Sequence, residues 1–209
     1  MGKNFEELKK EVQKHFIHTS HGFDHVMRVY NLAVKIAEKE KADIECVKAA
    51  ALLHDIARTD ELNGKKICHA EKGAEMAIPI LKKFDFSDNQ IKIITDAIKT
   101  HRYKKQLTPN SLVGAILQDA DRLDILGAVG IARVFSRAGE KGVPLHDSNI
   151  SPVDDYKQSK YHTAFNHFYE KILKITPDTF KTKTAKKIAE SRYAFTKNFI
   201  KTFLKEWGE

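Results

Sequence analysis

Apolar side chains recur at three- and four-residue intervals along the chain, and no segment alternates with a period of two. A helix turning every ~3.6 residues gathers such positions on one face, whereas a half-buried strand needs every second residue. The expected fold is therefore all-α. A first helix is expected over about 3–16, with Phe5, Leu8, Val12 and Phe16 on its apolar side, and a second over about 24–40 (Val26, Val29, Tyr30, Ala33, Ile36, Ala37). Asp43 reads as the N-cap of a third, through Val47, Ala50, Ala51 and His54, since a short acceptor side chain there satisfies an orphan amide. Asn63-Gly64 marks a turn; helices follow over about 69–83 and from Ser87 through Ile91, Ile94, Ala97, Ile98 and His101. Pro109 is expected in the first turn of the next helix, where a missing N–H does no harm, ahead of Leu112, Val113, Ile116 and Leu117. Residues 125–137 are small and apolar, which suits close helix packing or a turn, and 139–153 reads as a long loop. Two last helices are expected over 154–175 and 178–206, the second amphipathic through Ala185, Ile188, Ala189, Arg192, Phe195, Phe199, Ile200 and Phe203. Residues 1–209 then form one domain, with a core over about 20–135 and a C-terminal helical extension over about 154–207 packed on it.

Composition narrows the setting. With 209 residues, 42% of them hydrophobic and 31% charged, the chain can bury a substantial core. Two cysteines, Cys46 and Cys68, make no disulfide framework and suit a reducing compartment. The N-terminus carries no apolar leader and no stretch nears the ~20 apolar residues that span a bilayer, so a cytoplasmic protein without a membrane partner is expected. The net charge of +8 favours anionic partners such as phosphates. Nucleic acid stays open without being favoured, because the densest cluster, Lys181, Lys183, Lys186 and Lys187, is more simply the solvated face of a terminal helix.

Against this background His54-Asp55 stands out. The pair ends an apolar run, Ala49-Ala50-Ala51-Leu52-Leu53, that has no other use for polar groups. His25 lies upstream, and Asp121 lies downstream in Gln118-Asp119-Ala120-Asp121. Two imidazoles and two carboxylates without a thiolate disfavour a closed structural zinc site. They suit Mn²⁺, Mg²⁺, Ni²⁺, Co²⁺ or Fe²⁺ with open water positions. Such a site lowers the pKa of bound water and polarises a phosphoryl oxygen. Arg58, one turn after Asp55, is placed to neutralise phosphoryl charge. His69 and His101 are candidates for phosphate binding or for a second metal. Lys72, Lys99, Arg102 and Arg122 are candidate phosphate contacts, although solvated surface is the simpler account of Lys72, Lys99 and Arg102 taken singly. His21, one turn before Asp24-His25, together with Asp24, Arg28 and Asp124, is a candidate to support the ligands from behind.

These segments resemble the HD superfamily of metal-dependent phosphohydrolases. Gly22-Phe23-Asp24-His25-Val26-Met27-Arg28-Val29 is similar to the family's first-histidine motif. Leu53-His54-Asp55-Ile56-Ala57-Arg58 resembles its signature, with Ala57 and Arg58 where glycine and lysine are common. Ala120-Asp121-Arg122-Leu123-Asp124 resembles the final aspartate motif, which selects Asp121 over Asp119. Likeness to a bacterial nucleotide pyrophosphohydrolase-like subfamily extends through Gly127–Arg133, Asn166–Lys171 and Thr184–Arg192. The resemblance implies a metal held by His25, His54, Asp55 and Asp121. It further implies a catalytic part for Asp55 and Arg58, and cleavage of a nucleoside triphosphate to monophosphate and pyrophosphate by activated water. Two departures matter: Arg58 stands where nucleotidase branches carry a glutamate, and the Gly-Tyr-Pro motif of cyclic-dinucleotide phosphodiesterases is absent. His69 and His101 match positions where binuclear members place extra histidines. Two other classes stay open on this reading. One is a di-iron oxygenase; the other is a non-catalytic module that senses a nucleotide or binds nucleic acid.

Overall fold

The computed structural model describes residues 3–16, 22–154 and 162–209, and among these every regular element is helical. The fold is all-α, as the periodicity predicts. The chain divides into two compact units, Met1–Asp121 and Arg122–Glu209.

In the first unit, α1 (Phe5–Gln13) is capped by Asn4, whose side chain accepts from the Glu7 amide, and buries Leu8 and Val12. Next come α2 (Phe23–Glu40) and α3 (Ile44–Leu53). Asp43 caps α3 through the Cys46 amide at 3.0 Å, as its position predicts. Cys46, Val47 and every residue from Ala49 to Leu53 are buried. A run this uniformly apolar can only be stable as a central element, and α3 packs against α1, α2, α5 and α6. Leu52 and Leu53 are fully buried, so truncating either to alanine costs about 2–5 kcal/mol.

α3 stops at Leu53 and a tight turn carries His54, Asp55, Ile56 and Ala57 into the short α4 (Arg58–Leu62). The turn is closed by the Arg58 amide on the Asp55 carbonyl at 2.8 Å. α5 (His69–Lys83) lies against α4 and α6. Its Gly73 faces this turn, where a Cβ would make ordinary contact with the His54 carbonyl oxygen and Ile56, each at 3.5 Å. α6 (Asp88–Thr100) begins with a reciprocal capping box between Ser87 and Gln90. α7 (Leu112–Leu123) starts later than Pro109 suggests. Ser111 caps it, accepting from the Gly114 amide at 3.1 Å, and Pro109 lies outside the helix against Gly114. Gln118 then fixes α7 by donating to the Thr100 carbonyl at 2.6 Å and the Leu107 carbonyl at 2.9 Å.

The second unit contains α8 (Gly127–Lys141), α9 (Asn166–Glu170) and α10 (Lys183–Trp207). The small residues of 125–137 turn out to be helical from Gly127 onward. Gly127 adopts φ +75°, and its missing Cβ leaves room for Arg192. A continuous helix over 154–175 is not what forms. Residues 155–161 lie outside the described residues, and the rest holds only α9 and a 3₁₀ turn at Ile172–Lys174. The last helix starts at Lys183 rather than 178, capped by Thr182. Phe135, Phe165, Phe168, Phe199 and Phe203 form the aromatic heart of this unit, with Phe165 stacked on Phe203 at 4.6 Å. Both cysteines are free thiols. Among the described residues no helix is long and apolar enough to cross a membrane.

Candidate metal centre

The four candidate ligands, His25, His54, Asp55 and Asp121, meet in the first unit. His25 comes from the first turn of α2, His54 caps the C-terminus of α3, Asp55 follows in the turn, and Asp121 lies near the end of α7. His25 Nε2 is 3.4 Å from His54 Nε2 and 3.4 Å from Asp121 Oδ1. Asp121, the second of the two aspartates in 118–121, therefore faces His25. His69, from the first residue of α5, and His101, from the C-cap of α6, join from the other side. Asp55 stands between the groups. Its Oδ2 is 3.9 Å from both His25 Nε2 and His54 Nε2, and its Oδ1 is 3.3 Å from His69 Nε2 and 3.5 Å from His101 Nε2.

Two sets can each close on one ion: His25, His54 and Asp121, and Asp55, His69 and His101, with the atoms of each set within 4.8 Å of one another. The ring tautomers favour this use. His54 Nδ1 lies 2.8 Å from the Ala51 carbonyl and His101 Nδ1 lies 2.6 Å from the Ile98 carbonyl. A carbonyl only accepts, so each Nδ1 carries a proton outward and, in the neutral ring, each Nε2 turns its lone pair to the centre. Converging lone pairs and carboxylates, with the opposite nitrogens already satisfied, are what a divalent cation needs. The cluster is able to hold one.

Its electrostatics agree. Burial alone would raise the Asp55 carboxyl, yet His54, His101, His69 and Arg58 outweigh that and hold it well below the usual carboxylate range. Asp121 is likewise lowered, against burial, by its hydrogen bond to His25 and the charges of His25, His54 and His101. Burial pushes His54 down and His69 down to about 4, partly opposed by Asp55 in both cases. His101 goes the other way: burial would lower it, but the hydrogen bond and charge of Asp55 raise it. Both carboxylates are thus ionised at neutral pH, while His54 and His69 are neutral, the protonation a metal ligand requires.

Arg58 does not point freely into solvent. Its Nη1 donates to Glu61 Oε2 at 2.8 Å and lies 2.9 Å from His69 Nδ1. Glu61, which the sequence reading passed over, also accepts from Arg102 at 2.8 Å. The one available signal was its i,i+3 spacing from Arg58. Lys72 is exposed and paired with Glu75 at 2.9 Å, and Lys99 is exposed on α6. Asp24 is exposed and pairs with Arg28 at 2.6 Å. In the second unit, Arg122 donates to the Thr179 carbonyl at 3.4 Å, and Asp124 is buried against Arg133 at 2.8 Å. Arg192, also there, donates to the Leu123 carbonyl at 2.6 Å. His21 lies outside the described residues.

Comparison with known proteins follows the same line. Residues 22–126 match the model of the HD domain. YpgQ of Bacillus subtilis (strain 168) is 36% identical over 206 residues, which span 98% of this chain and 94% of that protein. The crystal structure of YpgQ in complex with ADP superposes with a TM-score of 0.73 at 30% identity, covering 97% of each chain. An HD-superfamily hydrolase from Bacillus thuringiensis superposes with a TM-score of 0.76 at 32% identity, covering 98% of this chain and 96% of the other. A predicted HD-superfamily hydrolase from an uncultured Thermotogales bacterium gives a TM-score of 0.68 at 36% identity, covering 97% and 91%. The motifs, the helical scaffold and the His/Asp cluster converge on one assignment: the chain belongs to the HD-domain family and is a metal-dependent phosphohydrolase.

Proposed function

We propose that this phosphohydrolase acts on a nucleotide and cleaves a nucleoside triphosphate to its monophosphate and pyrophosphate. The observation that carries the reading is the Asp55 carboxylate, with one oxygen facing His25 and His54 and the other facing His69 and His101. His25, His54, Asp55 and Asp121 are the residues to hold a divalent cation, with His69 and His101 extending the set through Asp55 Oδ1. When bound there, the ion supplies a more acidic water and draws charge from a phosphoryl oxygen. The chain's own residues supply the rest. Asp55 and Asp121, both ionised, set the negative charge of the centre and orient the imidazoles around it. Arg58 offers a guanidinium beside His69, and its buried Nε has no protein acceptor among the described residues. That N–H is suited to a phosphoryl oxygen, where a charge-assisted bond at ~2.7–2.9 Å would stabilise developing charge. The ADP held by YpgQ supports a phosphorylated nucleotide as the ligand class. The net charge of +8 suits so anionic a substrate.

The test is a metal-rescue screen. Chelated protein is given Mn²⁺, Mg²⁺, Ni²⁺, Co²⁺ or Fe²⁺ with nucleoside mono-, di- and triphosphates, cyclic nucleotides and guanosine alarmones, separating phosphate from pyrophosphate. Pyrophosphate from triphosphates is expected, and Asp55→Ala should lose cation binding and activity together while keeping its helical circular dichroism. An Asp55→Ala protein that stays fully active without metal overturns the assignment of the site. Phosphate release from monophosphates alone overturns the choice of substrate.

A further inference from the structure

His54 and His101 have their tautomers fixed by main-chain carbonyls, but His69 does not. Its Nδ1 has two side-chain neighbours of opposite character: Glu61 Oε2 at 2.7 Å, which can only accept, and Arg58 Nη1 at 2.9 Å, which can only donate. Arg58 Nη1 is itself 2.8 Å from Glu61 Oε2, so the three atoms form a nearly equilateral triangle. One proton arrangement satisfies all three. The carboxylate oxygen accepts from the guanidinium and from the imidazole, Nδ1 keeps its proton, and Nε2 turns a lone pair toward Asp55. Without the carboxylate the nearest acceptor for Arg58 is His69 Nδ1. The imidazole proton then moves to Nε2, 3.3 Å from Asp55 Oδ1, and blocks the lone pair. The other oxygen of Glu61 is held by Arg102 Nη1 at 2.8 Å, from the segment just after His101, so the carboxylate is clamped between two arginines.

We propose that Glu61 is a positioning residue for the His69 half of the cluster, fixing the Nδ1–H tautomer and so making Nε2 available to a cation. The proposal rests on the reading that Asp55, His69 and His101 face a cation together. Partners of this kind behind a metal-binding histidine typically change affinity by about 10- to 100-fold when removed. No sequence motif marks Glu61. The role arises because α4 brings its fourth residue, Glu61, against the start of α5.

Two measurements test it. The first needs neither metal nor variant. In metal-free protein carrying ¹⁵N-labelled histidine, long-range ¹⁵N–¹H correlations read the ring tautomer of His69, assigned with His69→Gln. Wild type should show Nδ1–H, and Glu61→Ala should show Nε2–H. The second is a Mn²⁺ titration followed by the electron paramagnetic resonance signal of the free ion. Glu61→Ala should weaken, by about 10- to 100-fold, the same Mn²⁺ equivalent that His69→Gln removes. Glu61→Gln, which keeps the shape but can offer its amide oxygen to one side only, should fall between wild type and Glu61→Ala. It serves in place of the alanine variant if that protein fails to fold. An Nε2–H tautomer in wild type, or unchanged Mn²⁺ affinity in both Glu61 variants while His69→Gln loses its equivalent, overturns the role of Glu61 and leaves the site reading intact. Wild type that binds no Mn²⁺, or His69→Gln indistinguishable from it, overturns the site reading and the positioning role with it.

Discussion

Acidifying the solution should strip stability from the second unit through one side chain, His167. It lies in α9 and is 4% exposed. Burial, followed by the charges of Lys171 and Lys141, pushes its pKa down to about 3 from the ordinary 6.5. The sign follows from where the proton goes. The unfolded chain takes it up near pH 6.5, whereas the folded unit refuses it until about pH 3. The contribution is therefore complete above pH 6.5 and is lost as the pH falls toward 3, at about 1.4 kcal/mol per unit. Between pH 7 and pH 5 the loss from His167 alone is about 2 kcal/mol, being about 1.4 multiplied by the interval from 6.5 to 5. The assay is urea unfolding at the two pH values in wild type and His167→Gln. Trp207 is the chain's single tryptophan and stacks on Phe203 at 5.5 Å, so its fluorescence reports this unit. Wild type should lose about 2 kcal/mol more than the variant on going to pH 5. Equal losses in the two proteins would refute the reasoning, because the buried neutral imidazole would then not be the group that titrates.

Two other tests use different handles. Gly130 and Gly139 lie on the same helix, α8, yet alanine should act oppositely at the two. At Gly130 a methyl would sit 1.9 Å from the Ile125 carbonyl oxygen, so the helix start must move and a loss of several kcal/mol is expected. At Gly139 nothing lies within 4 Å, and alanine should stabilise by about 0.5–1 kcal/mol. Thermal melts of both variants check this, and equal shifts would contradict the packing described around Gly130. Chelation should lower the melting temperature of the first unit, and added Mn²⁺ should restore it. A cation at 100 times its dissociation constant adds about 2.7 kcal/mol to a state that alone binds it. A melting curve indifferent to every divalent ion tried would count against occupancy of the cluster.

Much of this architecture is legible in the sequence because its helices are amphipathic and locally capped. Asp43 and Ser87 announce helix starts through side chains three residues from the amides they satisfy, and such signals need no tertiary knowledge. The candidate quartet is legible for a similar reason: His54-Asp55 is an intrusion of polar groups into a run that must be buried. Residues 163–175 were harder to read. Their apolar side chains pack through one short helix and one 3₁₀ turn, where an aromatic cluster overrides local periodicity. Pro109 misled because proline suits a helix start in general, while here Ser111 takes the cap. Glu61 stayed invisible for a deeper reason. Its three partners, Arg58, His69 and Arg102, come from three separate segments, and only their spatial closure gives the carboxylate its role.

The placement of His54 directly after the buried run Ala49–Leu53 of α3 has a consequence for how the site can be lost. Its ring is tied to the Ala51 carbonyl, and the residues just behind it, Ala49 to Leu53, are all buried. Segments of that kind exchange their amide hydrogens only when the whole cooperative unit opens. The inner wall of the site therefore cannot breathe independently of its scaffold. Deuterium uptake at Leu52 and Leu53 should track global opening of the first unit, and the heat that empties the site is the heat that melts the protein around it.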